Sequence, residues 1–128
     1  MTNEFSFNLP LKDINKVEFV LSNQKKDSLK FGLNTADRQF YVNRKRSGLT
    51  DFSEKFTQKI STAPRISNSD TLKVHFILDK TSIEIFYDNG ATVMSEIFFP
   101  NEPYDRFTIS SNADLNIQDM EINRIEVD

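Results

Sequence analysis

The sequence predicts an all-β domain, two antiparallel sheets packed face to face as a sandwich of about ten strands. Three observations lead there. Apolar residues recur with period two in runs such as KVEFVLS, SLKFGLN and TLKVHFIL, and that period marks a half-buried strand. No stretch sustains the 3.6-residue apolar stripe of a helix. The runs are short, roughly 8–12 residues apart and divided by turn residues, a spacing of sandwiches and barrels. With so many alternating strands, two packed sheets are the better expectation than a closed barrel.

Each element follows from its own pattern. Phe5 and Phe7 open a first strand that Pro10 closes. Val17, Phe19 and Leu21 alternate with Glu18, Val20 and Ser22, and Leu29, Phe31 and Leu33 repeat the pattern, with Asn23 to Asp27 as the hairpin loop between them. In QFYVNR, Phe40 and Val42 share one side, after which RKRSGL turns the chain. Phe52 and Phe56 sit in a segment of weak pattern, and Ser61 to Ser69 has no periodicity and is expected to be loop. Alternation returns at Leu72, Val74, Phe76 and Leu78. After a further strand around Phe107 and Ile109, the stretch from Leu115 to Val127 resembles a helix at first sight. Its apolar positions keep a spacing of two apart from one phase change, which predicts two short strands or one bulged strand.

The hairpin DKTSIEIFYDNGATVMSEIFFP holds the question of chemistry, because Glu84 and Glu96 stand on its two arms. A two-residue Asn89-Gly90 turn pairs Asp88 with Ala91 and Ile85 with Met94, and leaves both faces mixed. A three-residue loop with Gly90 left-handed pairs Tyr87 with Ala91 and gathers Ile83, Ile85, Tyr87, Val93 and Ile97 on one face. Burial favours the second register. It places Glu84 and Glu96 together on the outward face, with Phe86, Met94 and Phe98 beside them. Paired carboxylates at such spacing are the equipment of a glycosidase. An open sheet face supplies neither the burial that keeps one acid protonated nor a cleft that excludes water. The outward Phe86, Met94 and Phe98 are expected to lie under a loop of this domain, with a docking surface for a partner domain or a sugar-stacking surface as the alternatives, and the two glutamates are read as solvated strand residues.

Composition bounds the remaining classes. A length of 128 residues suits one domain able to bury a core without staples. The net charge of −3 is too small for steering. Basic residues cluster only at Lys25-Lys26 and Arg44-Lys45-Arg46, so no nucleic-acid footprint is expected. No apolar run approaches the ~18 residues of a membrane span, and the start has no signal-peptide pattern. The absence of Cys removes thiolate nucleophiles and zinc–thiolate sites, and His75, the one histidine, is expected on the surface. No cofactor or metal is expected. No serine lies in a nucleophile elbow, and the three glycines are too far apart for a phosphate-cradling loop. Arg44 and Arg46 are candidates to hydrogen-bond vicinal hydroxyls, against the plainer reading of a charged turn. A shallow groove with Tyr41, Tyr87 or Tyr104 beside Arg or Asp would be the sign of a saccharide site.

Two motifs carry a resemblance. FYVNRKRSG, followed by LKVHFILDKTSIEIFYDNGATVMSEIFFP, resembles the C-terminal β-sandwich module of glycoside hydrolase family 32, the family of invertases, levanases, inulinases and sucrose-6-phosphate hydrolases. EFSFNL fits the start of that module, so the resemblance covers nearly the whole chain. Asn43 stands where an Asp is usual, and the region from Asp51 to Asp70 matches poorly. The resemblance implies a concanavalin/galectin-like jelly roll, a missing N-terminal catalytic five-bladed propeller as partner, and a secreted or periplasmic bacterial parent acting on fructan or sucrose. The family's catalytic motifs lie in that propeller, in Trp-Met-Asn-Asp-Pro-Asn-Gly, Arg-Asp-Pro and Glu-Cys. This chain has no Trp and no Cys, and its Ala36-Asp37-Arg38 is not Arg-Asp-Pro. The expectation is a non-catalytic module that braces the propeller, with carbohydrate binding and oligomerisation as alternatives.

Overall fold

A computed structural model describes residues 2–48 and 60–125. The ten strands among them are β1 (Thr2–Pro10), β2 (Lys16–Ser22), β3 (Ser28–Asn34), β4 (Gln39–Arg46), β5 (Ile60–Pro64), β6 (Thr71–Leu78), β7 (Ser82–Tyr87), β8 (Thr92–Ile97), β9 (Arg106–Ser111) and β10 (Gln118–Ile125). They form two antiparallel five-stranded sheets, ordered β10-β1-β6-β7-β8 and β5-β4-β3-β2-β9. The expected sandwich is therefore the one observed. Ser61 to Pro64 fall in the stretch expected to be loop, yet Ile60–Pro64 forms a strand because it pairs along β4, from Gln39↔Pro64 to Asn43↔Ile60. Ladder hydrogen bonds from a neighbour can order a segment with no apolar alternation of its own. Phe52 and Phe56 lie outside the described residues.

The alternating apolar residues meet between the sheets. Phe7, Leu72, Val74, Phe76, Ile83 and Ile85 come from one, and Val17, Phe19, Leu29, Phe31, Phe40 and Val42 from the other, all buried. Aromatic rings interlock there in edge and offset contacts. Phe7 meets Phe19 edge-on at 5.5 Å, Phe31 meets Phe76 edge-on at 5.3 Å, and Phe107 lies 5.4 Å from Phe76. Across the sandwich, Phe40 and Tyr87 stack with centroids 3.8 Å apart.

Local chemistry closes the turns. In the β2–β3 loop, Asn23 Oδ1 accepts the backbone N–H of Lys25 and of Asp27. Asp27 turns its buried carboxylate onto the Asn101 backbone N–H at 2.7 Å, tying that hairpin to the segment after β8. On the outer face of the second sheet a Cβ on Gly32 would come within 2.1 Å of the Val17 carbonyl oxygen, so the crossing tolerates no side chain. Tyr41 approaches the same place and donates to Glu18 at 2.5 Å.

The final segment is one bulged strand. Ser6 faces Glu121 and Asn8 faces Gln118, so Phe7 alone opposes Asp119 and Met120. Asp119 takes φ 54°, and its carboxylate accepts from Asn8 Nδ2 at 3.1 Å. A non-glycine residue in the left-handed region is uncommon, and aspartate is among those that adopt it most readily.

Candidate functional site

The β7–β8 hairpin adopts the register that the sequence pattern disfavoured. Tyr87 pairs with Thr92, Ile85 with Met94 and Glu84 with Ser95. Asp88 to Ala91 make a four-residue connection, with Asp88, Asn89 and Gly90 all at positive φ. Glu84 and Glu96 therefore lie on opposite faces of the sheet. Glu84 is exposed, whereas Glu96 turns inward, its carboxylate 3.3 Å from Arg44 Nε on β4, with both side chains only 10% exposed.

The expected outward cluster does not form either. Met94 and Phe98 are buried in the core, Phe98 against Tyr104 at 5.3 Å, and Phe86 alone stays on the outer face. Polar satisfaction selects this register. Thr92 Oγ1 donates to the Pro64 carbonyl, Glu96 finds Arg44, and Arg44 also donates to the Ile97 carbonyl. These partners belong largely to the opposite sheet, so an inward face that looks mixed in isolation is paired in the fold. Val93 and Ile97 are the apolar residues left outside, 51% and 55% exposed.

The hairpin tip is anchored by a second buried pair. Arg65, in the loop after β5, donates from Nε and Nη2 to the Asp88 carboxylate at 3.1 and 3.3 Å, with side chains 6% and 5% exposed. It also donates to the Ser69 carbonyl at 3.0 Å. Arg46 is exposed, in a shallow depression shared with Lys30 and Lys45. The tyrosines offer no open platform. Tyr87 and Tyr41 are buried, and half-buried Tyr104 donates to the Ser47 carbonyl.

A site not anticipated from the sequence lies on the outer face of the first sheet. One row of residues crosses all five strands, Glu121, Ser6, His75, Phe86 and Val93. His75 is half-exposed, its Nε2 is 3.2 Å from a Glu4 carboxylate oxygen, and its ring stacks on Phe86 at 5.5 Å. Beside this stack the β1–β10 bulge and the hairpin tip border an open pocket of about 550 Å³. Asn8, Lys73, Asp119 and Glu121 supply its polar lining, and Asn89 with Gly90 its end wall. The signal in the sequence was the polar phase of β1 and β6, but only the bulge brings Asp119 beside it. Another cavity, about 650 Å³, opens between Leu11, Ile14, Arg38, Arg65 and Asp70. Its arginines already serve the protein's own loop, since Arg38 donates to the carbonyls of Arg65 and Ser67 and to Asn68. Among the described residues, no group of three His, Cys, Asp or Glu side chains is placed to hold a metal ion.

Comparison with known proteins agrees with this architecture. Residues 1–127 match the family described as glycosyl hydrolases family 32 C terminal. An invertase from Kluyveromyces lactis is 30% identical over 107 residues, 78% of this chain and 18% of the invertase. A levanase from a Bacillus species is 33% identical over 70 residues, 55% of this chain and 8% of the levanase. The chain thus spans less than a fifth of the length of these curated relatives. Among solved structures, an exo-inulinase from Aspergillus awamori superposes with a TM-score of 0.79 at 20% identity, over 94% of this chain and 24% of that one. A galectin from Caenorhabditis elegans superposes with a TM-score of 0.68 at 14% identity, over 96% of this chain and 82% of the galectin, a likeness of fold. With the sandwich, the hairpin and the whole-length match in agreement, the chain belongs to the C-terminal family of glycosyl hydrolases family 32.

Proposed function

We propose that this domain is the non-catalytic C-terminal module of a fructan- or sucrose-hydrolysing glycosidase, docking on and bracing that enzyme's catalytic propeller. The separation of Glu84 from Glu96 by the sheet itself is the observation that carries this reading. Glycoside cleavage needs two carboxyl groups about 5–9.5 Å apart acting on the same bond. Glu84 is held on the outer face and Glu96 in an ion pair inside, so they have no common substrate position. Support for a partner in the same chain comes from the share of the exo-inulinase that this domain covers, about a quarter.

Of the surface residues, Val93 and Ile97 beside Phe86 form the apolar strip suited to docking, on the outermost described strand of its sheet. Phe86 and Arg46 keep the exposure that docking requires, whereas Arg44, Met94 and Phe98 act from inside the domain. Two measurements test the reading. The 128-residue chain should release no fructose from sucrose, levan or inulin. In a full-length enzyme carrying this domain, Val93→Asp with Ile97→Asp should lower the unfolding temperature of the propeller. Fructose release by the chain alone, or an unmoved propeller transition, refutes it.

Saccharide binding is the second reading, favoured by the pocket beside the His75–Phe86 stack.

A further inference from the structure

We infer that the pocket over the β1–β10 bulge takes an uncharged saccharide, with the Phe86 ring beneath its C–H face and Asp119, Glu121 and Lys73 on its hydroxyls. The inference rests on the saccharide-binding reading and deepens it, by fixing the site and the charge its ligand must have.

Four features of the pocket lead there. Its volume, about 550 Å³, falls within the roughly 300–1,000 Å³ of small-molecule sites. Its lining joins one apolar plate to a few convergent polar groups, the combination that orients a small ligand. A sugar ring matches it, because C–H bonds cover one face and hydroxyls, each both donor and acceptor, surround the rim. Carboxylates accept from those hydroxyls and an ammonium donates to them.

Some of the parts already touch one another. Phe86 is backed by His75, and His75 by Glu4. Asp119 sits at φ 54° and accepts from Asn8 Nδ2 at 3.1 Å. Bulges commonly sit beside binding sites, where they re-aim a side chain, and a residue kept in a sparsely populated conformation is a mark of function.

Charge decides the ligand class. Two carboxylates, Asp119 and Glu121, line the pocket against one ammonium, Lys73. The balance is negative, so uronic or sulfated sugars are repelled.

The test is a titration of the full chain, followed by amide NMR shifts, with 1-kestose, levantriose, maltotriose and trigalacturonate. At least one neutral oligosaccharide should shift Ser6, Asn8, Lys73, His75 and Phe86 saturably at millimolar concentration. Trigalacturonate should not bind there. Phe86→Ala and Glu121→Gln should each weaken binding about tenfold, with the urea midpoint of Glu121→Gln unchanged. Shifts confined to the cavity around Leu11, Arg38 and Asp70 would overturn the site and leave the saccharide-binding reading standing. Absence of any saccharide binding would overturn both. Trigalacturonate bound in the pocket as tightly as the neutral sugars would overturn the charge argument.

Discussion

Removing the Asp88 carboxylate should be among the most damaging single changes on the surface of this domain. Arg65 donates two hydrogen bonds to it, at 3.1 and 3.3 Å, and neither side chain is more than 6% exposed. In Asp88→Ala the guanidinium keeps the Ser69 carbonyl at 3.0 Å but loses its counter-charge. Breaking one side of a buried pair costs about 3–5 kcal/mol, because the remaining charge stays desolvated. Asp88 also sits at φ 54°, where alanine is less at ease than aspartate.

Asp88→Asn separates the two effects. It preserves shape and backbone tolerance, removes only the charge, and should cost less, about 2 kcal/mol. Pairing Arg65→Met with Asp88→Ala should cost clearly less than the sum, with a coupling of about 2–3 kcal/mol. Urea unfolding followed by far-ultraviolet circular dichroism measures the parent, Asp88→Ala, Asp88→Asn, Arg65→Met and the double variant, and the cost should survive added salt, since buried pairs are poorly screened. Asp88→Ala and Asp88→Asn both within about 0.5 kcal/mol of the parent, or zero coupling, would refute the reasoning.

Two further outcomes follow from the same structure. Phe98→Ala should cost about 3–5 kcal/mol as a core truncation, while half-exposed Phe86→Ala should cost less than about 1.5 kcal/mol; equal costs in urea unfolding would place the two on one face after all. Stability should fall above about pH 10, because burial, the leading cause in each case, raises the pKa of Tyr41, Tyr87 and Tyr104 above the ordinary tyrosine value of 10.0. Below that value folded and unfolded chains are equally protonated. Above it the unfolded chain releases protons the folded one retains, at about 1.4 kcal/mol per pH unit for each tyrosine. Urea midpoints that stay level from about pH 9 to about pH 11 would contradict this.

The hairpin shows where legibility ended. Its existence, its left-handed Gly90 and the inward side of β7 were all readable, since Ile83, Ile85 and Tyr87 share a phase in either register. The register of β8 was not. Ranking faces by apolar content put Val93 and Ile97 inside, whereas the fold buries Thr92, Met94 and Glu96. The deciding partners, the Pro64 carbonyl and Arg44, lie 28 and 52 residues away along the chain. The pocket escaped notice for a related reason, because Asp119 reaches Asn8 only through the bulge between β1 and β10.

What the sequence by itself determined was the class of fold and the inward phase of most strands, because alternation and turn residues act between near neighbours, while the family was legible only through the resemblance of two motifs. Tertiary structure alone decided which polar groups could be buried, and so which residues meet and which face water. A buried polar group is tolerated only when its partner is in place, and in a sandwich that partner usually belongs to a strand far away in sequence.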